Sequence, residues 1–566
     1  MKVLLLDVDN VGYELIKPEA SIYEDSDEKK VSIDDALVMM LSVEVEDDNA
    51  VADKAIGDVE KLMKQFKRKK LLIYPFAHLS SELAPPKEAM KIVDYVFDTL
   101  SKDKELEVKK SPFGWNKKWT VTLKGHPMAE QGRRYGKVDS KKVVSKAKPV
   151  SVNTAIVRKS DVSGLPKTDH RTIGEQLDLF SFQEVSPGMV YWHKNGLVIF
   201  KQIMGFLRDM EQSYDYEEVS TPTLANVALW HVSGHIDHYK DEMFVFSSES
   251  EQLGMKPMNC PSTILIYKSK KWSYRELPFR TAIFDRLYRN EISGALTGLF
   301  RVRELTQDDG HIFLMEEQLE SELTNVLKMV KEVYHTFNLP FKAKLSTMPD
   351  NHMGDEALWE KATVALKNAL EKNKMEYVIK EKEGAFYGPK IDFDVTDSMN
   401  RVWQCATIQV DYQMPLRFGL EYTGEDGRGH PPVMIHRAII GSLERFIGVL
   451  VEHYQGKFPV WLAPVQVRVI SISEPANVYT EKIYKELKKH GIRVVADTSD
   501  RTLEYKIRDA QMQKVPYMLV IGKKEQEANT LTIRDRDGKQ KHDVKIEEFI
   551  NKISKEIKER SSGNEL

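Results

Sequence analysis

The chain opens on strand-like text. In "MKVLLLDVD", "ALVMMLSVEVE" and "KLLIYPFAH" the apolar residues run almost unbroken or alternate with polar ones, the period of a β-strand. In "PKEAMKIVDYVFDTL" they recur at intervals of three and four, the period of a helix with one apolar face. Strands followed by such a helix predict an α+β domain over residues 1–140. Past residue 133 the periodicity stops. "RRYGKVDSKKVVSKAKP" and "SGLPKTDHR" are basic and irregular, which predicts a linker over 141–170 whose Lys and Arg suit a polyanion. Periodic text resumes with "GLVIFKQIMGFLRDMEQSY", an amphipathic helix, and continues to about 458, a block large enough for a catalytic domain. After "FPVWLAP" the short strands "VQVRVISI", "IRVVAD" and "PYMLVIG" alternate with the helices "YTEKIYKELKKHG" and "RTLEYKIRDAQMQK", predicting an α/β domain over 459–566. The tail "ERSSGNEL" is expected to fray.

Composition narrows the class of protein. With 41% hydrophobic and 30% charged residues the chain is globular, and its 566 residues suffice for several domains. Two cysteines exclude a disulfide framework. The lack of an apolar leader or of any apolar window of 18 residues argues for a reducing, cytosolic setting without a membrane partner. A net charge of −3 carries no overall nucleic-acid signature, but leaves room for local basic patches.

The central block lacks GxxxxGK[ST] and GxGxxG, so neither a P-loop nor a Rossmann site is indicated. Arginines stand out instead. "FDRLYRNEISGALTGLFRVRELTQDDGHIFL" reads as strand, glycine-containing loop, strand, with Arg289 and Glu291 expected on one face near the end of the first strand and Arg301 and Arg303 opening the second. "HRAIIGSLERFIGVLVEHY" reads as one long amphipathic helix carrying Arg445. Guanidinium groups bind phosphate bidentately and keep their charge, which suits an anionic cosubstrate. Read alone, an Arg/Glu pair on a strand is usually an exposed charge pair. An isolated Cys such as Cys260 in "MKPMNCPST" is usually a small buried hydrophobe, and Cys405 in the alternating "RVWQCATIQV" is assigned that role.

"TPTL" with Pro222, "YRNE" with Arg289 and Glu291, and "GSLER" with Arg445 resemble the three motifs of class II aminoacyl-tRNA synthetases. "LWHVSGHIDHYKDEMF", "MKPMNCP", "RVRELTQDDGHIF", "FYGPKIDFDV", "WQCATIQVDY" and "PVMIHRAIIGSLERFIG" resemble the threonyl-tRNA synthetase family in particular. The resemblance implies an antiparallel-sheet catalytic core over 171–458, ATP-dependent activation of L-threonine and its transfer to tRNA(Thr). It implies ATP contacts by Arg289, Glu291, Arg301 and Arg445 with Mg2+, and one zinc per subunit on Cys260, His311 and His436. Around the amino acid it implies Asp309, Gln307, Tyr387, Lys390 and Gln409. Leu305 stands where relatives carry an aromatic before "TQDD", so weaker adenine binding is expected.

Serine differs from threonine by one methyl, worth only about 10- to 200-fold in selectivity, so a hydrolytic second sieve is expected. "YPFAHLSSELA", "PFGWNKKW" and "KGHPMAE" resemble the archaeal editing domain of this family, similar in fold to D-aminoacyl-tRNA deacylases. The resemblance assigns His78, Lys117, His126 and Glu130 to the editing site, while Asp7, Asn10 and Asn116 depart from its pattern. The last domain resembles the class IIa anticodon-binding domain. It implies base contacts by Arg508, Lys514, Glu525 and Arg534, with Asp500 departing from an amide seen in relatives. The first class II motif implies a homodimer. The competing readings are a noncatalytic RNA-binding paralogue and another class IIa synthetase.

Overall fold

The structure is a computed structural model, and it describes residues 1–18, 22–80, 83–126, 128–136, 160–236, 240–248 and 251–561. Most of the expected linker, 141–159, and the end of the tail, 562–566, lie outside the described residues. The chain divides into two compact units, Met1–Ser151 and Val152–Leu566.

In the first unit the long strand Lys2–Pro18 lies at the centre of a sheet. It pairs antiparallel with Lys30–Ser42 on one side. On the other it pairs with Trp115–Leu123 along its second half and with Glu130–Arg134 along its first. Two parallel strands, Lys70–Pro75 and Glu107–Lys110, extend the sheet. Parallel neighbours need crossovers, supplied by the helices Asn49–Phe66 and Pro86–Leu100. Ile56, Val59, Val93 and Val96 of these helices close one core with Leu37, Met39, Leu71 and Ile73 of the strands. The opposite face carries a second cluster around Val8, Tyr13, Val38 and Leu72.

In the second unit, among the described residues, a largely antiparallel sheet runs in the spatial order Tyr377–Lys380, Phe341–Ser346, Lys390–Thr396, Val402–Asp411, Val433–Ser442, Glu304–Leu314, Phe279–Ile283, Glu217–Glu218. Side chains alternate across it as the period of two requires. Ile408, Val410, Ile435, Ile439 and Ile312 face a core with Phe206, Val330, Leu366 and Phe446 of the covering helices. Thr407, Gln409, His436, Asp309 and His311 occupy the intervening positions and line a cavity. Beyond Trp461 a five-stranded sheet carries the parallel strands Val467–Ser471, Val494–Asp497 and Tyr517–Ile521, as the text after "FPVWLAP" predicts.

Three expectations are corrected here. "HRAIIGSLERFIGVLVEHY" is not one helix: Val433–Ser442 is a strand, and the helix Leu443–His453 starts after it. Asp308 forces the break by accepting the N–H groups of Ile439 (2.8 Å) and Gly441 (2.9 Å). Gly441 then turns with φ +73°, where a Cβ would also lie 2.8 Å from the Cys405 carbonyl. The strand expected to carry Arg289 and Glu291 ends at Tyr288, and its successor begins at Glu304 rather than Arg301. Finally, the end of the expected linker is core rather than tether. Ser160 N–H bonds Phe182 O at 2.9 Å, and His170 is buried against Glu452 at 2.6 Å.

Candidate functional site

The register of the central sheet assembles the first site. His311 stands directly opposite His436, Gln409 opposite His436 on the other side, and Lys390 opposite Gln409. Opposite residues in antiparallel strands hold their Cβ atoms about 5 Å apart, so one row crosses four strands. Cys260 approaches this row from the buried first turn of the helix Cys260–Lys268. The Cys260, His311 and His436 ligand atoms all lie within 4.8 Å of one another. They share a cavity of about 170 Å³ with Met258, Arg289, Gln307, Asp309, Tyr387, Cys405, Thr407 and Gln409. Cys405, read above only as a buried hydrophobe, thus also lines the site.

The surroundings fit a metal. His311 Nδ1 is buried with no hydrogen-bond partner, a cost that a ligand would remove. Burial holds the His311 imidazole well below its usual pKa, in the neutral form that ligates. Burial also pushes the Cys260 thiol well up, with Asp309 and Asp411 adding to it, so this sulfur would ligate as a thiolate only with a bound cation to displace its proton. One sulfur and two nitrogens with space remaining is the donor set of an open zinc site. A second group, Asp169, His170 and Glu452, also clusters. Both nitrogens of His170 are already used, however: Nδ1 meets Glu452, and Nε2 accepts the Leu299 N–H at 2.9 Å.

Asp309 is 8% exposed, its carboxyl raised by burial and its Oδ2 taking the Asn259 amide at 3.2 Å. Tyr387 donates its hydroxyl to Gln409. Lys390 does not reach the cavity. Its ammonium turns to Asp392, a buried carboxylate that also takes Gln404 at 2.7 Å and Thr407 at 3.0 Å. Arg437, unforeseen in the sequence, is buried against Glu211 and lies over Gly310, where a Cβ would meet its Nε at 2.3 Å.

The arginines converge beside this cavity. Glu291 holds Arg301 at 2.8 Å, and its carbonyl holds Arg303 at 2.9 Å. Arg445 donates to the Phe300 carbonyl at 3.0 Å. Its pKa is lowered by desolvation first and then by repulsion from Arg289 and Arg301, which lie near it. Leu305 is 7% exposed in a cluster with Leu287 and Val302.

In the first unit a wider cavity, about 770 Å³, brings together His78, Asn116 and Lys117 with Tyr74, Phe76, Phe113, Trp115 and Trp119. The Lys117 ammonium lies 4.8 Å from the Tyr74 ring centroid, and burial lowers its pKa to about 8. His126 and Glu130 are not among the residues lining this cavity. His126 bonds Asp7 at 2.9 Å, and buried Asp7 is held by Arg68 at 2.6 Å. Glu130 is exposed at the start of its strand. Asn10 spends its amide on Ser32 and Asp34.

In the last domain Arg508 is exposed on the helix Leu503–Met512. Lys514 follows it in a left-handed turn, φ +55°, and Arg534 lies half-buried on the strand Leu531–Asp535. Glu525 is tied up locally: its carboxylate takes the Gly522 N–H and the Thr532 hydroxyl, both at 2.8 Å.

Comparison with known proteins follows this division. Residues 1–134 match the archaea-specific editing domain of threonyl-tRNA synthetase, 241–454 the tRNA synthetase class II core domain (G, H, P, S and T), and 466–556 the anticodon binding domain. A threonine--tRNA ligase of Petrotoga mobilis is 51% identical over 396 residues, 70% of this chain and 62% of that protein. Its counterpart in Thermotoga petrophila is 48% identical over 415 residues, 72% of this chain and 65% of that one. The chain therefore spans just under two thirds of the length of these relatives. A crystal structure titled as the RNA binding domain of threonyl-tRNA synthetase from Cryptosporidium parvum superposes with a TM-score of 0.67 at 41% identity, covering 70% of this chain and 99% of that one. With a helix-borne sulfur meeting two imidazoles of the sheet, and an identity of that size across nearly the whole solved chain, this protein belongs to the threonyl-tRNA synthetase family.

Proposed function

We propose that the chain is a threonine--tRNA ligase that activates L-threonine with ATP, transfers it to tRNA(Thr) and hydrolyses mischarged seryl-tRNA(Thr) in its first unit. The observation that carries this reading is the meeting of Cys260, His311 and His436 in one small cavity beside Arg289, Arg301 and Arg445.

Zinc bound by those three residues would supply a Lewis acid for the amino and hydroxyl groups of threonine. Asp309, anchored by Asn259, would hold the threonine hydroxyl, Gln307 and Tyr387 would lie by the amino group, and Gln409, bonded by the Tyr387 hydroxyl, would line the pocket. Valine fits the same volume but leaves these polar partners unfilled. A site of this kind rejects such an analogue by about 10⁴-fold, where an apolar pocket manages about 100-fold. The threonine carboxylate attacks the α-phosphate of Mg2+-bound ATP. Arg289 neutralises charge there, Arg301 and Arg445 hold the leaving pyrophosphate, and Glu291 fixes Arg301. A ribose hydroxyl of the tRNA then displaces AMP.

In the first unit, Lys117 and His78 flank a cleft wide enough for an aminoacyl ester on its terminal nucleoside. There a water attacks the ester carbonyl and the Lys117 ammonium stabilises the oxyanion. Arg508, Lys514 and Arg534 are offered to anticodon bases, and the helix Lys194–Ser213 to a second subunit. The cytosol is the proposed setting.

ATP–pyrophosphate exchange with threonine, serine or valine as the only variable tests the activation reading. Exchange with threonine, less with serine and almost none with valine is expected. Folded, zinc-loaded protein that exchanges with none of them would indicate the noncatalytic RNA-binding paralogue.

A further inference from the structure

His436 is held from behind. Its Nε2 lies 2.9 Å from Asp411 Oδ2, and Asp411 has no exposed surface (0%). The second oxygen, Oδ1, accepts the N–H groups of Gln413 (2.7 Å) and Met414 (3.0 Å), which start the short helix Gln413–Arg417. Among the described residues no Lys or Arg ion pair reaches Asp411; the side chain it meets is the His436 imidazole. A carboxylate taken fully out of water is costly unless its partners need its charge. Two backbone amides alone would be served as well by a neutral Asn or Ser side chain.

The helix that Asp411 starts leads back to the same cavity. At its end Arg417 donates to the carbonyls of Val232 (2.8 Å) and His231 (3.4 Å). That segment carries His235, whose Nε2 lies 3.9 Å from Cys260 Sγ. One buried carboxylate therefore touches one ligand residue directly and braces the segment beside another.

We propose that Asp411 is the positioning residue of the metal site: it fixes the ring plane and tautomer of His436, leaving Nδ1 free to ligate, and thereby sets how long the metal is retained and how well valine is refused. This rests on the reading that Cys260, His311 and His436 hold zinc. A carboxylate behind a ligating imidazole orients the ring and raises its basicity, and its loss typically costs about 10- to 100-fold in metal affinity.

Asp411→Asn is the informative variant, because its amide oxygen keeps the helix cap while its NH2 group faces His436 Nε2. That contact makes Nε2 an acceptor and moves the ring proton to Nδ1, the nitrogen needed for the metal. The test uses the full chain, loaded with zinc alone, and follows zinc release into a colorimetric chelator for wild type, Asp411→Asn and Cys260→Ser. Asp411→Asn is expected to release zinc about 10- to 100-fold faster than wild type. Its metal-free form should melt where metal-free wild type melts, its cobalt-substituted absorption bands should shift, and its valine-to-threonine exchange ratio should rise. Zinc release at the wild-type rate with an unchanged ratio would overturn the proposal while leaving the metal reading intact. A wild-type chain that holds no zinc would overturn both. If Asp411→Asn does not fold, Asp411→Glu keeps the charge near Nε2 and gives up the short cap. It is expected to retain zinc within about tenfold of wild type, and release as fast as that of His436→Ala overturns the proposal.

Discussion

The two cavities differ in almost every physical respect. The one in the central sheet is small, about 170 Å³, and polar pairs such as Tyr387 with Gln409 and His436 with Asp411 fix its side chains. The one in the first unit is about 770 Å³ and walled by five aromatic residues, with half-buried Lys117 among them. The small cavity is built on strand register, which fixes side chains rigidly and suits selection by polar pairing. The wide one suits a bulky ester and chemistry by water. A single cavity cannot do both: polar pairing accepts serine as readily as threonine, and the missing methyl is worth only about 1–3 kcal/mol.

The largest effect that would break this contrast lies in the small cavity. Cys260→Ser is expected to lose zinc and to reduce discrimination against valine from about 10⁴-fold to about 100-fold, the level of an apolar pocket. Exchange assays with both amino acids, alongside metal content, measure it. Retained zinc with undiminished discrimination would mean that the sheet row is structural.

Next comes the wide cavity. Lys117→Ala should slow hydrolysis of seryl-tRNA(Thr) by about 10²- to 10³-fold, the worth of one oxyanion donor, and leave pyrophosphate exchange untouched. Equal slowing of both reactions would show that the two sites are not independent. His126→Ala, outside the lining of the cavity, should alter hydrolysis little, and a loss as large as that of Lys117→Ala would relocate the site.

The pH profile sharpens the role of Lys117. Its folded pKa, about 8, lies below the ordinary lysine value of 10.5 because burial disfavours the ammonium. Folding therefore releases its proton between those values, and the stability cost of the buried charge fades as pH rises from about 8 toward 10.5. If the ammonium stabilises the oxyanion, hydrolysis above the no-enzyme background falls by about tenfold per pH unit above 8. Lys117→Arg, which stays charged, should not show that fall. A rate that instead rises through pH 8 would make the neutral amine a general base.

Much of the fold could be read from periodicity, because "PKEAMKIVDYVFDTL" and "RVWQCATIQV" each match a single period and become Pro86–Leu100 and Val402–Asp411. "HRAIIGSLERF" misleads because its strand and helix are fused, and the break depends on Asp308, more than 120 residues earlier in the chain. The candidate site was open to motif resemblance but closed to spacing. Cys260, His311 and His436 lie 51 and 125 residues apart; sheet register pairs the two histidines, and the first turn of the helix Cys260–Lys268 brings the cysteine to them. Asp411, Asp392 and Arg437 escaped notice for the same reason: each matters through a partner that the linear text does not place beside it. In the wide cavity the text offered four residues, and the packing gathers His78 and Lys117 while Asp7 draws His126 away.

The smallest expected effect concerns Leu305. An aromatic at this position would stack on adenine only if it faced the nucleotide, and a base stacked on a ring gains about 1–3 kcal/mol. Leu305, however, is 7% exposed and packs on Leu287 and Val302 with Phe182 and Val190 beside them. A larger ring must displace those neighbours, and overpacking of this kind costs about 1–3 kcal/mol. Leu305→Phe is therefore expected to lower the melting temperature by a few degrees while leaving the KM for ATP within about twofold, a change below 0.5 kcal/mol. A KM that falls tenfold or more, with stability unchanged, would show that the ring turns out over the base and that Leu305 does weaken adenine binding.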